Sequence, residues 1–196
     1  ADDYNWHCYS TNTVLVKDST LSMVGTNEFS SMHLVLDNAT ATFGGSFSFG
    51  KKWNGLTYLV ATNSVIDFGG INANFGCADG QRVTADLYNT KINGTGYNFK
   101  IGQYASQAKY NLNASCDMTI DGEDSAISLN SARNGSCIHI GSTGSGVLQV
   151  KDGSISAYQL LMASGTLCVT SVLHQTGGKI TVTGGKYAAN ENTWYG

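Results

Sequence analysis

Apolar and polar residues alternate along this chain in short bursts, and the bursts recur at nearly constant spacing. "LVLDNATATFGG" runs from Leu34 to Gly45 and "LVATNSVIDFGG" from Leu59 to Gly70, 25 residues later, with Leu-Val, a central Asn and Phe-Gly-Gly retained. The same order of an alternating apolar pair, a polar turn and a second alternating burst returns at Val14 to Met23, Asp86 to Gly94, Leu112 to Gly122, Leu148 to Ala157 and Leu173 to Gly185. Period-two alternation marks a strand with one face in a core. The turn residues align as Asp18, Asn38, Asn63, Asn89, Ser115, Asp152 and Gly177, with steps of 20, 25, 26, 26, 37 and 25. A second series follows each copy: "FSFG" ending at Gly50, "ANFG" at Gly76, "FKIG" at Gly102, "ISLN" at Asn130 and a degenerate "LLMA" at Ala163.

A period near 25 holding three short strands is one rung of a parallel β-solenoid. The sequence therefore predicts an all-β chain: a parallel β-solenoid (β-helix) of about seven rungs. It reads as a single domain over 1–196, with a leading segment 1–12, rungs over 13–185 and a terminal segment 186–196. Stacking places Phe43 over Phe68, and Phe49 over Phe75 and Ile101, with Ile66, Ile92, Leu129, Val150 and Ile155 also pointing inward. The 37-residue step puts about a dozen surplus residues between Asn130 and Gly146. Antiparallel barrels and sandwiches alternate too, but they do not normally hold a turn phase through seven copies.

Composition sharpens this picture. The chain has 24 Gly and no Pro. Pro cannot donate to a ladder, so its absence suits short interior strands joined by turns that need positive φ. A hydrophobic share of 41% with 13% charged residues belongs to a folded chain. Eleven scattered Lys and Arg and a net charge of −3 give no phosphate-binding footprint, so nucleic acid is excluded as a partner. No apolar run approaches the roughly 20 residues of a membrane span, and "ADDYNW" carries no basic and apolar leader, so the expectation is a soluble chain without a membrane span.

The rhythm of apolar pairs, Asn and Asp corners and runs such as "HQTGGKITVTGG" resembles the β-helical passengers of bacterial autotransporters and related repetitive cell-surface proteins. The likeness covers roughly residues 13 to 185. It implies an extracellular or cell-surface location and an adhesive or architectural role, and it carries over no catalytic residue.

The search for chemistry yields little. Polysaccharide-degrading β-helices gather carboxylates beside Arg or Lys on neighbouring rungs; here that would require three or more of Asp117, Asp121, Glu123, Asp124, Lys109 and Arg133 to converge in one groove. The one dense acidic group, "DMTIDGEDS", offers Asp121, Glu123 and Asp124 as a weak calcium site, against the simpler reading of a solvated corner. His7, His33, His139 and His174 are far apart and read as outward-facing surface residues. No GxSxG, CxxC or HExxH occurs. "GSTGSG" (Gly141 to Gly146) has no following Lys or helix and reads as a loop, so no cofactor and no catalytic residue is expected.

Five cysteines, Cys8, Cys77, Cys116, Cys137 and Cys168, fit no metal spacing. Export favours disulfides: Cys137 and Cys168 as a bridge between successive rungs, and Cys8, ahead of the first rung, as the odd thiol that reaches another chain. The alternative is that buried thiols act as small apolar ladder members, Cys116 and Cys77 foremost. Four sequons, at Asn38, Asn93, Asn113 and Asn134, are glycosylation candidates. Tyr104, Tyr110, Tyr158, Tyr187, Trp53, Trp194 and Tyr195 are placed for outward faces, where rings stack on sugars or on another subunit. Twelve residues precede the first rung, and the closing "YAANENTWYG" reads as neither an amphipathic helix nor a charged edge, so an uncovered rung is expected there as a template for another. The expected function is a non-catalytic structural subunit that self-assembles into an extracellular fibre, sheath or surface layer, with itself as main partner. The alternatives are an adhesin or carbohydrate-binding module, and behind it a polysaccharide-degrading enzyme.

Overall fold

The computed structural model describes residues 6–8, 11–51, 55–69, 72–76, 81–94, 98–102, 115–129, 136–142, 144–163 and 170–184. Its strands follow one another in seven groups of three. The first two groups are β1 (Trp6–Cys8), β2 (Asn12–Lys17), β3 (Thr20–Met23) and β4 (Asn27–Phe29), β5 (Met32–Asp37), β6 (Thr40–Phe43). The third and fourth are β7 (Phe47–Phe49), β8 (Gly55–Thr62), β9 (Val65–Asp67) and β10 (Ala73–Phe75), β11 (Gln81–Tyr88), β12 (Lys91–Gly94). The fifth and sixth are β13 (Asn98–Ile101), β14 (Ser115–Asp121), β15 (Ala126–Leu129) and β16 (Cys137–Ile140), β17 (Ser145–Val150), β18 (Ser154–Ala157). The seventh is β19 (Gln159–Met162), β20 (Ser171–Gln175) and β21 (Lys179–Val182).

Each strand pairs in parallel with the strand three places on, giving three seven-stranded sheets: β1 to β19, β2 to β20 and β3 to β21 in steps of three. This is a parallel β-solenoid of seven rungs. Because the register is in phase from rung to rung, the period-two pattern sends the same columns inward throughout. Ile66 lies in register with Ile92, and Ile92 with Ile127. The ten residues expected inside are all buried, none exposing more than 6% of its surface.

The core changes character along the axis. In the early rungs it is aromatic: Phe43 stacks on Phe68 at 5.7 Å between centroids, and Phe47 wedges against both at 4.7 and 4.8 Å. Phe49 lies 6.0 Å from Phe75, and Phe75 lies 5.3 Å from Phe99. In the later rungs Ile127, Ile138, Ile140, Leu148 and Val150 fill the same space. Such rings bury roughly 150–250 Å² each and add edge or stacking attraction to the apolar term.

Corners are set by backbone conformation. The turn from the second to the third sheet passes through a left-handed residue at Asp18, Asn38, Asn63 and Asn89 (φ 46–50°) and then at Gly122, Gly153 and Gly178. Asn and Asp tolerate that region and Gly enters it freely, which explains the residue choice. Each early corner donates its N–H to the next rung, as from Asn38 to the Thr62 carbonyl and from Asn63 to that of Tyr88 (both 3.0 Å). Just inside the corner a column of buried hydroxyls stitches rungs together: Ser64 Oγ accepts from the Ala39 N–H and donates to the Thr62 carbonyl, and Ser125 Oγ accepts from the Thr90 N–H and donates to that of Asp121. The other predicted corner series holds at Gly50, Gly76, Gly102 and Ala163, all with positive φ.

Five expectations shift. Ser115 is no corner but the first residue of β14; the true fifth corner is Gly122, because the inward residues of that strand are Cys116, Met118 and Ile120. The next two left-handed residues are likewise Gly153 and Gly178, one place past Asp152 and Gly177. "ISLN" belongs to the third sheet, where β15 pairs with β12 and β18, and the "CIHI" of β16, closed by Gly141, takes its place in the first. The surplus residues accordingly fall in two places, between β13 and β14 and between β15 and β16. Finally, Trp6–Cys8 is itself a strand in register with β4, so Cys8 lies within the first rung and not ahead of it.

Phe68→Ala empties a space shared by four other rings, those of Phe43, Phe47, Phe75 and Phe99, and is expected to cost about 3–5 kcal/mol in urea unfolding. Thr62→Ala, on the outer face of β8, is expected to stay within about 0.5 kcal/mol. Equal losses would contradict the stacked aromatic core.

Candidate functional site

The acidic group does not assemble. Asp117 and Asp121 share the outer face of β14 but stand four residues apart, about 13 Å along the strand, beyond the roughly 5–9.5 Å that paired glycosidase carboxyls require. Asp121 is already engaged: Oδ1 accepts the Gly122 N–H at 2.8 Å, and Oδ2 lies 3.9 Å from Lys151 Nζ. Glu123 and Asp124 are exposed in the turn beyond. Among the described residues no three His, Cys, Asp or Glu side chains come together as a metal site. Lys109 and Arg133 lie outside the described residues.

What the rungs bring together instead is an open groove of about 230 Å³ on the outer face of the second sheet. Val60 and Thr62 of β8, Asp86 and Tyr88 of β11, Thr119 and Asp121 of β14 and Lys151 of the next corner line it. In-phase register makes the site, since Thr62, Tyr88 and Asp121 occupy one column. Tyr88 is half exposed and shares the groove with the carboxylates of Asp86 and Asp121 and the ammonium group of Lys151. Val60 and Leu15 continue an apolar stripe on the same face, at 37% and 62% exposure. The Lys151–Asp121 pair is solvated and worth less than about 1 kcal/mol. The sequence reading named Asp121 for calcium and missed Asp86, Tyr88 and Lys151. Their common signal is an outward phase on successive rungs, legible only once the fifth corner is placed at Gly122.

The outermost rungs form the second distinctive surface. Val14, Val16 and Leu21 at one end and Leu173, Ile180 and Val182 at the other occupy inward columns, yet Val14 is 37% exposed and the other five are only partly buried. Their counterparts one rung inward, Leu34, Leu36, Ala41, Leu148, Ile155 and Ala157, are at most 2% exposed. Among the described residues, no strand pairs with the far edges of β1, β2 and β3 or of β19, β20 and β21.

No protein-family model, curated protein or solved structure matches this chain. The site must therefore be read from its own geometry.

The expected Cys137–Cys168 bridge is not formed, since Cys137 carries a free thiol. Cys116 and Cys137 are buried, Cys116 in register between Val83 and Gly146. Burial pushes the Cys137 thiol up to about 12, against a smaller opposing pull from Lys100, so it stays protonated and unreactive at neutral pH. Cys77 and Cys168 lie outside the described residues, as does the side chain of Cys8. His33 packs edge-on to Tyr58 at 4.7 Å, and His174 is exposed. Of the sequons, Asn38 is an exposed corner whose Nδ2 donates to Asp18 Oδ1 at 2.7 Å, and Asn93 is exposed on the outer face of β12. Asn113 and Asn134 lie outside the described residues. So do all the aromatic residues expected on outward faces except Tyr158, which is half-buried.

His139 departs from the surface role expected of it. Its Nε2 donates to Asn98 Oδ1 at 2.9 Å, and burial, reinforced by the charge on Lys100, lowers its pKa to about 4. Between about 4 and the ordinary 6.5 the unfolded chain binds a proton that the folded chain refuses. Stability is thus full above pH 6.5 and falls as pH drops toward 4, by at most about 3 kcal/mol. Denaturant midpoints compared at pH 7 and pH 4.5 are expected to converge in His139→Gln relative to the parent; an unchanged pH slope would contradict the buried neutral imidazole.

Proposed function

We propose that this chain is a non-catalytic structural subunit that self-associates into an extracellular fibre, sheath or surface layer. The observation that carries this reading is the incomplete burial of the inward apolar columns in the first and seventh described rungs, Val14, Val16 and Leu21 in one and Leu173, Ile180 and Val182 in the other. An unprotected parallel edge is a strand template, and natural solenoids ordinarily block it. The repeat rhythm, which resembles that of autotransporter passengers, supports a cell-surface location. The dispersed carboxylates argue against polysaccharide cleavage. Association rests on backbone pairing and apolar burial, and the buried, protonated thiol of Cys137 adds no covalent link.

A second reading, an adhesin or carbohydrate-binding module, is favoured by the groove alone, where Tyr88 stands beside Asp86, Asp121 and Lys151. Solution size separates the two. Sedimentation at high micromolar concentration is expected to give large species that persist in 1 M salt, where the Debye length is about 3 Å and exposed charges are screened. A single monomeric boundary, with a soluble glycan shifting Tyr88 fluorescence, would favour the binding module instead.

A further inference from the structure

Resting on the subunit reading, we infer a polarity and a register for the contact: the β19–β20–β21 rung of one copy stacks on the β1–β2–β3 rung of the next, head to tail, continuing the solenoid without a break. The chain direction permits this directly, because all three sheets are parallel and both end rungs present the same three faces in the same order. Extending the observed register by one rung brings Leu173 over Val14, Ile180 over Leu21 and Val182 over Met23. Every one of these six residues occupies an inward column, and all but Met23 are incompletely buried.

The outward columns also agree. Val172 meets Thr13, His174 meets Leu15, Lys179 meets Thr20 and Thr181 meets Ser22, so no like charges oppose one another. Within the chain, like-on-like stacking already joins Ile66, Ile92 and Ile127, and the contact between copies repeats that chemistry with Ile on Leu and Leu on Val. In the second and third sheets the one unmatched inward pair among the described residues is Gln175 over Val16, where the Gln175 amide already bonds the Gly178 carbonyl at 3.1 Å. A contact between two different ends is heterologous, and here its operator is a translation along the axis with a small rotation, which does not close. The product is an open filament one solenoid wide. A two-fold contact of like ends would instead set β2 antiparallel to β2 and give a closed dimer.

The test uses full-length chains. His174→Cys and Leu15→Cys are each on exposed outer positions, and aligned residues on neighbouring strands stand about 4.8 Å apart, within the 4.4–6.8 Å that a disulfide spans. The two variants are mixed, oxidised and digested, and linked peptides are identified by mass. The inference predicts a 174-to-15 link between copies, reduced to background when Lys17→Cys replaces Leu15→Cys. Val172→Cys with Thr13→Cys gives the same readout should either first variant fold poorly. Large assemblies without either link, or with Leu15→Cys linked to itself, overturn the head-to-tail register while leaving self-association standing. A monomer by sedimentation overturns both.

Discussion

Parallel, in-phase pairing of each rung with the next is the constraint on which everything else depends. A rung's backbone groups are satisfied only by the rungs above and below, so a strand that slipped by one residue would turn its apolar set outward. That requirement fixes the columns, and the columns fix the chemistry. It aligns Phe43 with Phe68 inside the core, and Thr62, Tyr88 and Asp121 on the outer face. The corners serve the same end: a left-handed residue turns the chain while its N–H still reaches the neighbouring rung, and the buried hydroxyls of Ser64 and Ser125 bond the backbone groups that the turn leaves behind.

Much of this was legible in the sequence because the code is repetitive. Leu-Val, Asn and Phe-Gly-Gly recur with the rung, and Asn38, Asn63 and Asn89 are left-handed corners as their spacing implied. Reading failed where the repeat changes its vocabulary. In β14 the inward residues are Cys, Met and Ile, not Leu and Val, and the corner is Gly rather than Asn, so the phase was set several residues early at Ser115. The same error hid the strand exchange between "ISLN" and "CIHI". Cys8 was misplaced because a three-residue strand with mixed side chains carries almost no periodic signal.

The groove was less legible than the fold for a physical reason. Its residues lie on four rungs and span Val60 to Lys151, so no local motif contains them. They become neighbours only through correct register, and one misplaced corner dissolves the site. His139 shows the converse limit: its strand suggested an outward ring, yet Asn98 and Lys100 from the preceding rung enclose it enough to keep it neutral.

Stacking within the chain and stacking between chains are one interaction in this account, continued along one axis. Fibre diffraction from aligned assemblies tests that most directly. Strands perpendicular to the axis at the rung spacing predict a strong meridional reflection near 4.8 Å. The same spacing found on the equator, with none along the meridian, would mean that copies do not continue one another's rungs and would contradict it.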